Sequence, residues 1–195
     1  MSHKSSIDAF LERLHAEGQV NDNAAPMRSD MRLNITPSTG AFLDLMITDA
    51  EPKRILELGT SNGYSTIWIA RAADRIAADF ESVEISAKKS KAADENLRAT
   101  GLRDSVSLRT GDCGEFLARS PDAHYDFVFL DCDRGAYRDW AFDLLRTISF
   151  GTLVVDNAVS HASELVDLQR YVGDDDQLAS VVLPIGKGQL VVRRR

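Results

Sequence analysis

Three oxygen-bearing side chains follow two apolar stretches in the second half of the chain. Asp131 comes directly after FVFL, and Asp156 and Asn157 come directly after LVV. The ends of neighbouring parallel strands lie about 5 Å apart, so the three side chains converge if these stretches are such strands. Two carboxylates and an amide oxygen, without sulfur or imidazole, favour a hard cation such as Mg²⁺ or Ca²⁺. The alternative is a pair of acidic strand ends that bind water and cap helices.

A glycine-bearing turn is the second candidate for chemistry. Residues 55–65, ILELGTSNGYS, are typical of a strand, a turn and the start of a helix. Ligands collect at the carboxyl ends of the strands in a parallel sheet, and Gly59 and Gly63 let the backbone approach a ligand closely. The alternative is a tight turn without a ligand.

The spacing of this turn argues against a dinucleotide cofactor. The dinucleotide fingerprint has glycines at its first, third and sixth positions, and these positions hold Gly59, Ser61 and Tyr64. Because two of the three fail, we expect a cofactor without a pyrophosphate. A dehydrogenase is the least favoured enzyme class.

Two further carboxylates end the next predicted strands. Glu84 follows Val83, and a carboxylate at that strand end can accept hydrogen bonds from both ribose hydroxyls. Asp112 lies in TGDC, where a carboxylate can accept from an adenine amino group. Each has a plainer alternative, an exposed strand end for Glu84 and the N-cap of the following helix for Asp112.

The elements that must position these residues alternate between strand and helix from residue 54 to residue 172. Near-continuous apolar strands in such an alternation indicate a parallel sheet with both faces covered. The last two predicted strands, 179–185 and 189–193, are joined by Gly186-Lys187-Gly188, which allows only an antiparallel hairpin. We predict an α/β fold: a Rossmann-like, seven-stranded, mostly parallel sheet with an antiparallel last strand and helices on both faces.

Local signals predict several boundaries. Apolar spacing predicts a helix over 7–16, polar and turn-prone residues predict a loop over 21–34, and Thr36-Pro37 predicts a helix start. A strand is expected over 105–108 and a helix over 162–172.

The length of the chain suits a single domain over 1–195. We expect an N-terminal helix and a lid or dimer segment over 1–35, followed by a Rossmann-like core over 36–195. Tyr137 and Trp140 share a face of a predicted helix, which favours core packing over a role in an acceptor pocket.

Charge and cysteine content narrow the partners and the location. The formal net charge is −7, and an acidic surface repels phosphate backbones and anionic lipid, so neither nucleic acid nor a membrane is an expected partner. Cys113 and Cys132 lack metal-ligand spacing and suit reduced thiols. No secretory signal and no apolar stretch of about 20 residues are visible. We therefore expect a cytoplasmic protein.

The series ELGTSNGYST, VE, GD, FLDCD and VVDN resembles the class I S-adenosylmethionine-dependent methyltransferases. Within them it is most similar to the catechol and caffeoyl-CoA O-methyltransferase family and its small bacterial relatives. The resemblance runs from about Arg32 to the chain end, and ELGTSNGYS followed by VVDN is its specific part. It implies S-adenosylmethionine as cofactor, a small hydroxylated acceptor, a divalent metal that chelates two adjacent acceptor hydroxyls, and a homodimer.

The resemblance also implies roles for individual positions. Glu57 would contact the region of the cofactor's charged amino group, Glu84 would bind ribose, Ile85 would pack on adenine, and residues 33–35 would close over the cofactor. The implied cofactor-binding set is Leu33, Ile35, Glu57, Gly59, Thr60, Ser61, Gly63, Ser65, Glu84, Ile85, Asp112, Cys113 and Asp131. The implied metal ligands are Asp131, Asp156 and Asn157.

The chain departs from the family at one catalytic position. The family places a lysine three residues after the first metal aspartate, where this chain has Arg134. A guanidinium stays protonated, so Arg134 could stabilise an oxyanion or pair with a carboxylate but could not act as a base. The candidate catalytic residues are Asp131, Arg134 and His161. The acceptor hydroxyl would lose its proton by metal-activated ionisation, or to Asp133 or His161 as the base. Capping the next helix is the alternative role for His161.

These residues predict transfer of a methyl group to the hydroxyl of a small molecule, by direct in-line displacement with metal assistance. One alternative is a metal-independent O- or N-methyltransferase. Another is a protein that binds S-adenosylmethionine without catalysis.

Overall fold

A computed structural model describes the backbone of residues 3–194, and the side chains of these residues except 3–5 and 149. Its strands are β1 Arg54–Leu58, β2 Asp79–Glu84, β3 Ser107–Thr110, β4 Tyr125–Leu130, β5 Ile148–Asp156, β6 Leu178–Leu183 and β7 Gln189–Arg194. Its helices are α1 His3–Ala24, α2 Pro37–Ala50, α3 Tyr64–Ile76, α4 Ala87–Thr100, α5 Cys113–Arg119, α6 Tyr137–Thr147 and α7 Val166–Gly173.

The strands form one seven-stranded sheet in the order β3-β2-β1-β4-β5-β7-β6. The pairs among β1 to β5 are parallel, whereas β7 is antiparallel to both β5 and β6. The predicted sheet, with six parallel strands and an antiparallel last one, is therefore confirmed. Leu58 pairs with Val83 on one side and with Leu130 on the other, so the carboxyl ends of the central strands reach the same edge.

Side chains alternate between the two faces of the sheet along each strand. Both faces therefore carry apolar side chains, and helices cover both. Leu56 and Leu58 of β1 point into a core layer shared with α5, α6 and α7. Ile55, from the other face of β1, lies in a second layer with α1, α2, α3 and α4. The sheet thus carries its functional residues on strand ends between two buried apolar layers.

Short local signals fix several helix ends, and the predicted helix start at Thr36-Pro37 is one of them. Thr36 is the N-cap of α2 and accepts a hydrogen bond from the backbone of Thr39, with Pro37 in the first helical position. Ser86 caps α4 in the same way, and Gly101 ends α4 with φ +74°.

Three predicted boundaries were wrong. The loop over 21–34 begins only after Ala24, because Asn21 and Asp22 stay helical while their side chains accept the backbone N–H of Arg32. The strand predicted over 105–108 is β3, because residues 103–105 form a 3₁₀ turn. The helix predicted over 162–172 is a 3₁₀ turn followed by α7.

Tyr137 is buried in the core as expected, and its hydroxyl accepts the backbone N–H of Cys132 at 2.9 Å. Trp140 packs partly against the same core layer. Within residues 3–194, no helix combines the length and the apolar content needed to cross a membrane.

Candidate active site

A cavity of about 750 Å³ opens at the carboxyl ends of the parallel strands. Residues 28–35 border it on one side, and the turn between β6 and β7 borders it through Lys187. Thirteen predicted site residues line it: Leu33, Ile35, Gly59, Thr60, Ser61, Ser65, Glu84, Ile85, Cys113, Asp131, Arg134, Asn157 and His161. The other four, Glu57, Gly63, Asp112 and Asp156, are not part of the lining.

A second cavity, of about 470 Å³, lies near the amino ends of the strands beside Arg54 and His124. It contains none of the predicted site residues. The chemistry-bearing side chains therefore collect at one edge of the sheet, as expected for a parallel arrangement.

The backbone conformation and the close packing of the turn after β1 require glycine at two positions. Gly59 has φ +105°, and a Cβ there would fall 2.2 Å from the backbone oxygen of Asp131. Gly63 has φ +85°, and a Cβ would meet Ala93 of α4 at 3.1 Å. Gly59 therefore lets β1 and β4 end side by side at the cavity, while Gly63 brings α3 close to α4.

Glu84 organises the same turn from the end of β2. Its two carboxylate oxygens accept the backbone N–H groups of Ser61, at 2.8 Å, and Ser86, at 2.9 Å. The hydroxyl of Ser61 in turn donates to the backbone oxygen of Arg32 at 2.7 Å. The carboxylate, the turn and the N-terminal segment are thus joined by hydrogen bonds along one wall of the cavity.

Glu57 lies beneath this turn and is fully buried. The hydroxyls of Thr66 and Ser82 both donate to its Oε2 at 2.6 Å. Its Oε1 is buried without a hydrogen-bond partner, although Ser65 is close enough to lower its pKa. Burial outweighs these hydroxyls and raises the pKa of Glu57 from 4.5 to about 6.

The predicted acidic pair comes together where β4 and β5 end. The side-chain amide nitrogen of Asn157 donates to Asp131 at 3.0 Å and to Asp156 at 3.1 Å. Burial, and then repulsion from Asp156, raises the pKa of Asp131 to about 8, while Lys187 and Arg134 act in the opposite direction. Burial also raises the pKa of Asp156, whose other oxygen accepts from the amide of Gln189.

Asp156 is buried and Asp131 is half-buried, and two carboxylates that repel each other form a donor set suited to a hard cation. Asn157 completes that set only after half a turn of its amide, which would present Oδ1 instead of Nδ2 to the space between the carboxylates. Its backbone, at φ +70°, is in the left-handed region.

Arg134 borders the acidic pair from the loop after β4. Its side chain is only 8% exposed, and its Nε donates to Glu164 at 2.8 Å. The guanidinium in turn lowers the pKa of Glu164. Asp133, a candidate base, accepts the backbone N–H of Gly135 at 3.1 Å and caps a 3₁₀ turn.

His161 lines the cavity on the loop that follows β5. Its backbone N–H donates to the oxygen of Asn157 at 2.9 Å, so the loop folds back toward the acidic pair. Its Nδ1 lies 2.8 Å from the hydroxyl of Ser160. The imidazole side chain does not cap the following turn.

Of the three residues predicted near the adenine of the cofactor, two line the cavity and one caps a helix. Asp112 is the N-cap of α5 and accepts the backbone N–H of Glu115 at 2.9 Å, the alternative role considered for it. Cys113 is buried at the edge of the cavity. Ile85 is 68% exposed and offers an apolar surface for an aromatic ring.

Charged residues that carried no sequence motif also line the cavity: Arg28, Arg32, Lys89, Glu164 and Lys187. Lys187 alone had a visible signal, since it lies between the two glycines of the predicted hairpin. The others reach the site through segments whose path depends on tertiary packing.

A family model described as O-methyltransferase matches residues 8–195. The chain belongs to the O-methyltransferase family. The predicted enzyme class, an S-adenosylmethionine-dependent methyltransferase, is thereby confirmed.

Two curated relatives of this methyltransferase are named catechol O-methyltransferase. That of Mycobacterium tuberculosis is 32% identical over 160 residues, covering 78% of this chain and 71% of the relative. That of Niastella koreensis is 33% identical over 138 residues, covering 69% of this chain and 62% of the relative. The match thus spans less than two thirds of the length of the Niastella protein.

Among solved structures, an O-methyltransferase from Bacillus cereus in complex with SAH superposes with a TM-score of 0.76. It is 23% identical, and the match covers 96% of this chain and 91% of the other. At that identity the likeness establishes the fold of the methyltransferase.

Proposed function

We propose that the enzyme transfers the methyl group of S-adenosylmethionine to a hydroxyl of a small molecule, beside a divalent metal held by Asp131, Asp156 and Asn157. The observation that carries this proposal is the meeting of these three side chains beside the cavity, which Asp131 and Asn157 line and the glycine turn borders. Relatives named catechol O-methyltransferase support an acceptor with adjacent hydroxyls.

The wall around Glu84 suits the nucleoside part of the cofactor. Each oxygen of Glu84 accepts one backbone N–H and retains a second lone pair for a ribose hydroxyl. The exposed side chain of Ile85 would pack on adenine. The methionine part would then lie along Gly59, Ser61 and Ser65, with residues 33–35 over it.

The acidic pair fits a divalent metal on the chemistry of its donors. Burial and mutual repulsion raise the pKa of Asp131, and a bound cation would remove that penalty. When bound, such a metal lowers the pKa of an acceptor hydroxyl and fixes its oxygen. The side-chain amide of Gln189 donates a hydrogen bond to Asp156 and holds its carboxylate in place. A half-turn of the Asn157 side-chain amide would supply the third oxygen ligand.

We propose that His161 is the base that accepts the proton of the acceptor hydroxyl. Arg134 stays protonated and is held by Glu164, and Asp133 is engaged as a helix cap. His161 lines the cavity, and imidazole commonly exchanges protons near neutral pH. Arg134 would then stabilise negative charge on the acceptor.

A second candidate is methyl transfer without a metal. It is favoured by one observation: Asn157 already donates to both carboxylates, while Lys187 and Arg134 lower the pKa of Asp131. In that case the protein itself neutralises the acidic pair, and the acceptor need not carry adjacent hydroxyls.

Calorimetry separates these candidates. The protein is titrated with S-adenosylmethionine, first with Mg²⁺ and then with a chelator, and catechol is added last. We expect cofactor binding in both conditions and catechol binding only with Mg²⁺. If the chelator does not change catechol binding, a role for the metal in binding the acceptor is ruled out. A preference for NAD⁺ over S-adenosylmethionine would overturn the whole assignment.

A cytoplasmic homodimer, with residues 1–35 as a lid or a dimer segment of a single domain, is also our proposal. Large apolar side chains at the surface, including Leu45, Phe142 and Phe150, would suit a subunit contact. Light scattering on the purified chain tests the oligomeric state.

A further inference from the structure

Lys187 brings a positive charge to the same end of the cavity as the acidic pair. It lines the cavity from the turn between β6 and β7. Its ammonium group lowers the pKa of both Asp131 and Asp156 by electrostatic attraction. Among the described residues, no ion pair or hydrogen bond engages this side chain.

The backbone holds Lys187 firmly in this position. Its carbonyl oxygen accepts the N–H groups of Val159, at 3.1 Å, and Ser160, at 2.9 Å, and Gly188 accepts that of Ala158 at 2.9 Å. Gly188 has φ +93°, and a Cβ there would fall 2.4 Å from the nitrogen of Val159. The turn is therefore docked on the loop after β5 that carries His161.

Two more cations line the same end of the cavity. Arg134 is held by Glu164, which fixes the direction of its guanidinium. Arg28, from the N-terminal segment, also lowers the pKa of Glu164, so it lies near the same group. Glu164 thus lies near two arginines, whereas no hydrogen bond or ion pair within the described part of the chain holds the side chain of Lys187.

Three cations thus lie beside the acidic pair, in a chain of net charge −7. If a divalent cation satisfies the two aspartates, their attraction for Lys187 is removed. A cation on a rigid turn, freed in this way, can take an anionic group of a ligand.

We propose that Lys187 binds the acceptor and that, with Arg134 and Arg28, it selects an acceptor carrying a carboxylate as well as hydroxyls. This inference rests on the proposed function. A neutral diol would leave the ammonium group without an anionic partner, and a cationic diol would be repelled.

The probes are 3,4-dihydroxybenzoate and 3,4-dihydroxybenzamide, which differ in the charge of one group. Each is titrated into the complex of the enzyme with S-adenosylhomocysteine and Mg²⁺, and kcat/KM is measured with S-adenosylmethionine. We expect the acid to bind about tenfold more tightly than the amide, and the difference to shrink as salt is added.

Three variants locate this preference. Lys187→Met is expected to abolish the preference for the acid, and Lys187→Arg to retain it. Lys91→Met, on the exposed face of α4, is the matched control and should leave it unchanged, since that lysine is 79% exposed.

Equal affinity for acid and amide in the unaltered enzyme would overturn the inference. So would a loss of S-adenosylhomocysteine affinity in Lys187→Met, because Lys187 would then bind the carboxylate of the cofactor. A retained preference for the acid without methyl transfer to either probe would support this inference while contradicting the proposed function.

Discussion

Asn157 donates its side-chain amide to Asp131 across 3.0 Å and so ties the end of β5 to the end of β4. The same residue has φ +70°, a conformation that asparagine adopts more readily than most residues. Its backbone oxygen then accepts the N–H of His161. One asparagine thus links the ends of two paired strands and contacts the loop beside them.

Removing one charge of the acidic pair tests whether Asp131 and Asp156 bind a divalent metal. Asp156→Asn preserves the shape of the buried side chain, and we expect Mg²⁺-dependent methyl transfer to fall by about a hundredfold or more. Binding of S-adenosylmethionine should be unchanged, since Asp156 does not line the cavity. Asp49→Asn, exposed at the end of α2, is the control. Unaltered Mg²⁺ dependence in Asp156→Asn would rule out the metal site.

Gly59→Ala tests the close approach of β1 and β4. The new Cβ would meet the backbone of Asp131 and would need φ +105°, so we expect a loss of about 1–3 kcal/mol of unfolding free energy. Cofactor affinity should fall as well, because Asp131 must move. In Gly173→Ala, the control, nothing lies within 4 Å of the new Cβ. Equal stability of the two variants by urea denaturation would contradict this account.

The fold could be predicted because its signals are local and repeated. The apolar strands, the caps at Thr36 and Ser86, and the glycine stop at Gly101 each fix an element within a few residues. The end of α1 was missed because Asn21 and Asp22 are turn-prone in sequence but make hydrogen bonds to Arg32, a long-range contact. Such contacts leave no periodicity to detect.

The candidate site was predictable to the extent that it lies on strand ends. Asp131 and Asp156 follow directly from the order of the strands, and the structure brings them together. Arg28 and Glu164 reach the cavity through irregular segments, so nothing in their spacing points to it. Asp112 had two possible roles, and the hydrogen bond to Glu115 shows that it caps α5.

His161→Gln tests the assignment of the base. A base acts in its neutral form, so the rate of methyl transfer should rise with pH in the unaltered enzyme, and the variant should lose that rise and about a hundredfold in kcat. His124→Gln, near the amino ends of the strands, is the matched control. An unchanged pH–rate profile in His161→Gln would transfer the role to ionisation of the acceptor at the metal.

Ser61→Ala tests how the N-terminal segment is held. The hydroxyl of Ser61 donates to Arg32, and Asp22 accepts the N–H groups of Arg32 and Leu33. Without the hydroxyl, we expect faster amide hydrogen exchange over residues 28–35 and a loss of about 1 kcal/mol of cofactor binding free energy. Ser38→Ala, exposed at the start of α2, is the control. Exchange that is equally slow in both variants would mean that Asn21 and Asp22 hold the segment without the hydroxyl of Ser61.

The buried carboxyl of Glu57 predicts a pH dependence of stability. Its pKa rises from 4.5 to about 6 on folding, so between these values the folded state binds more protons than the unfolded state. The free energy of unfolding contributed by Glu57 therefore falls as the pH rises from 4.5 to 6, by about 2 kcal/mol in all, and is constant above that.

Glu57→Gln isolates this effect because the other carboxyl groups titrate in both proteins. Urea denaturation of the ligand-free proteins at a series of pH values gives the difference in unfolding free energy between them. We expect that difference to change by about 2 kcal/mol between pH 4.5 and pH 6, in the direction that favours the variant at the higher pH. A difference that stays flat over this range would mean that the hydroxyls of Thr66 and Ser82 fully offset the burial of the carboxylate.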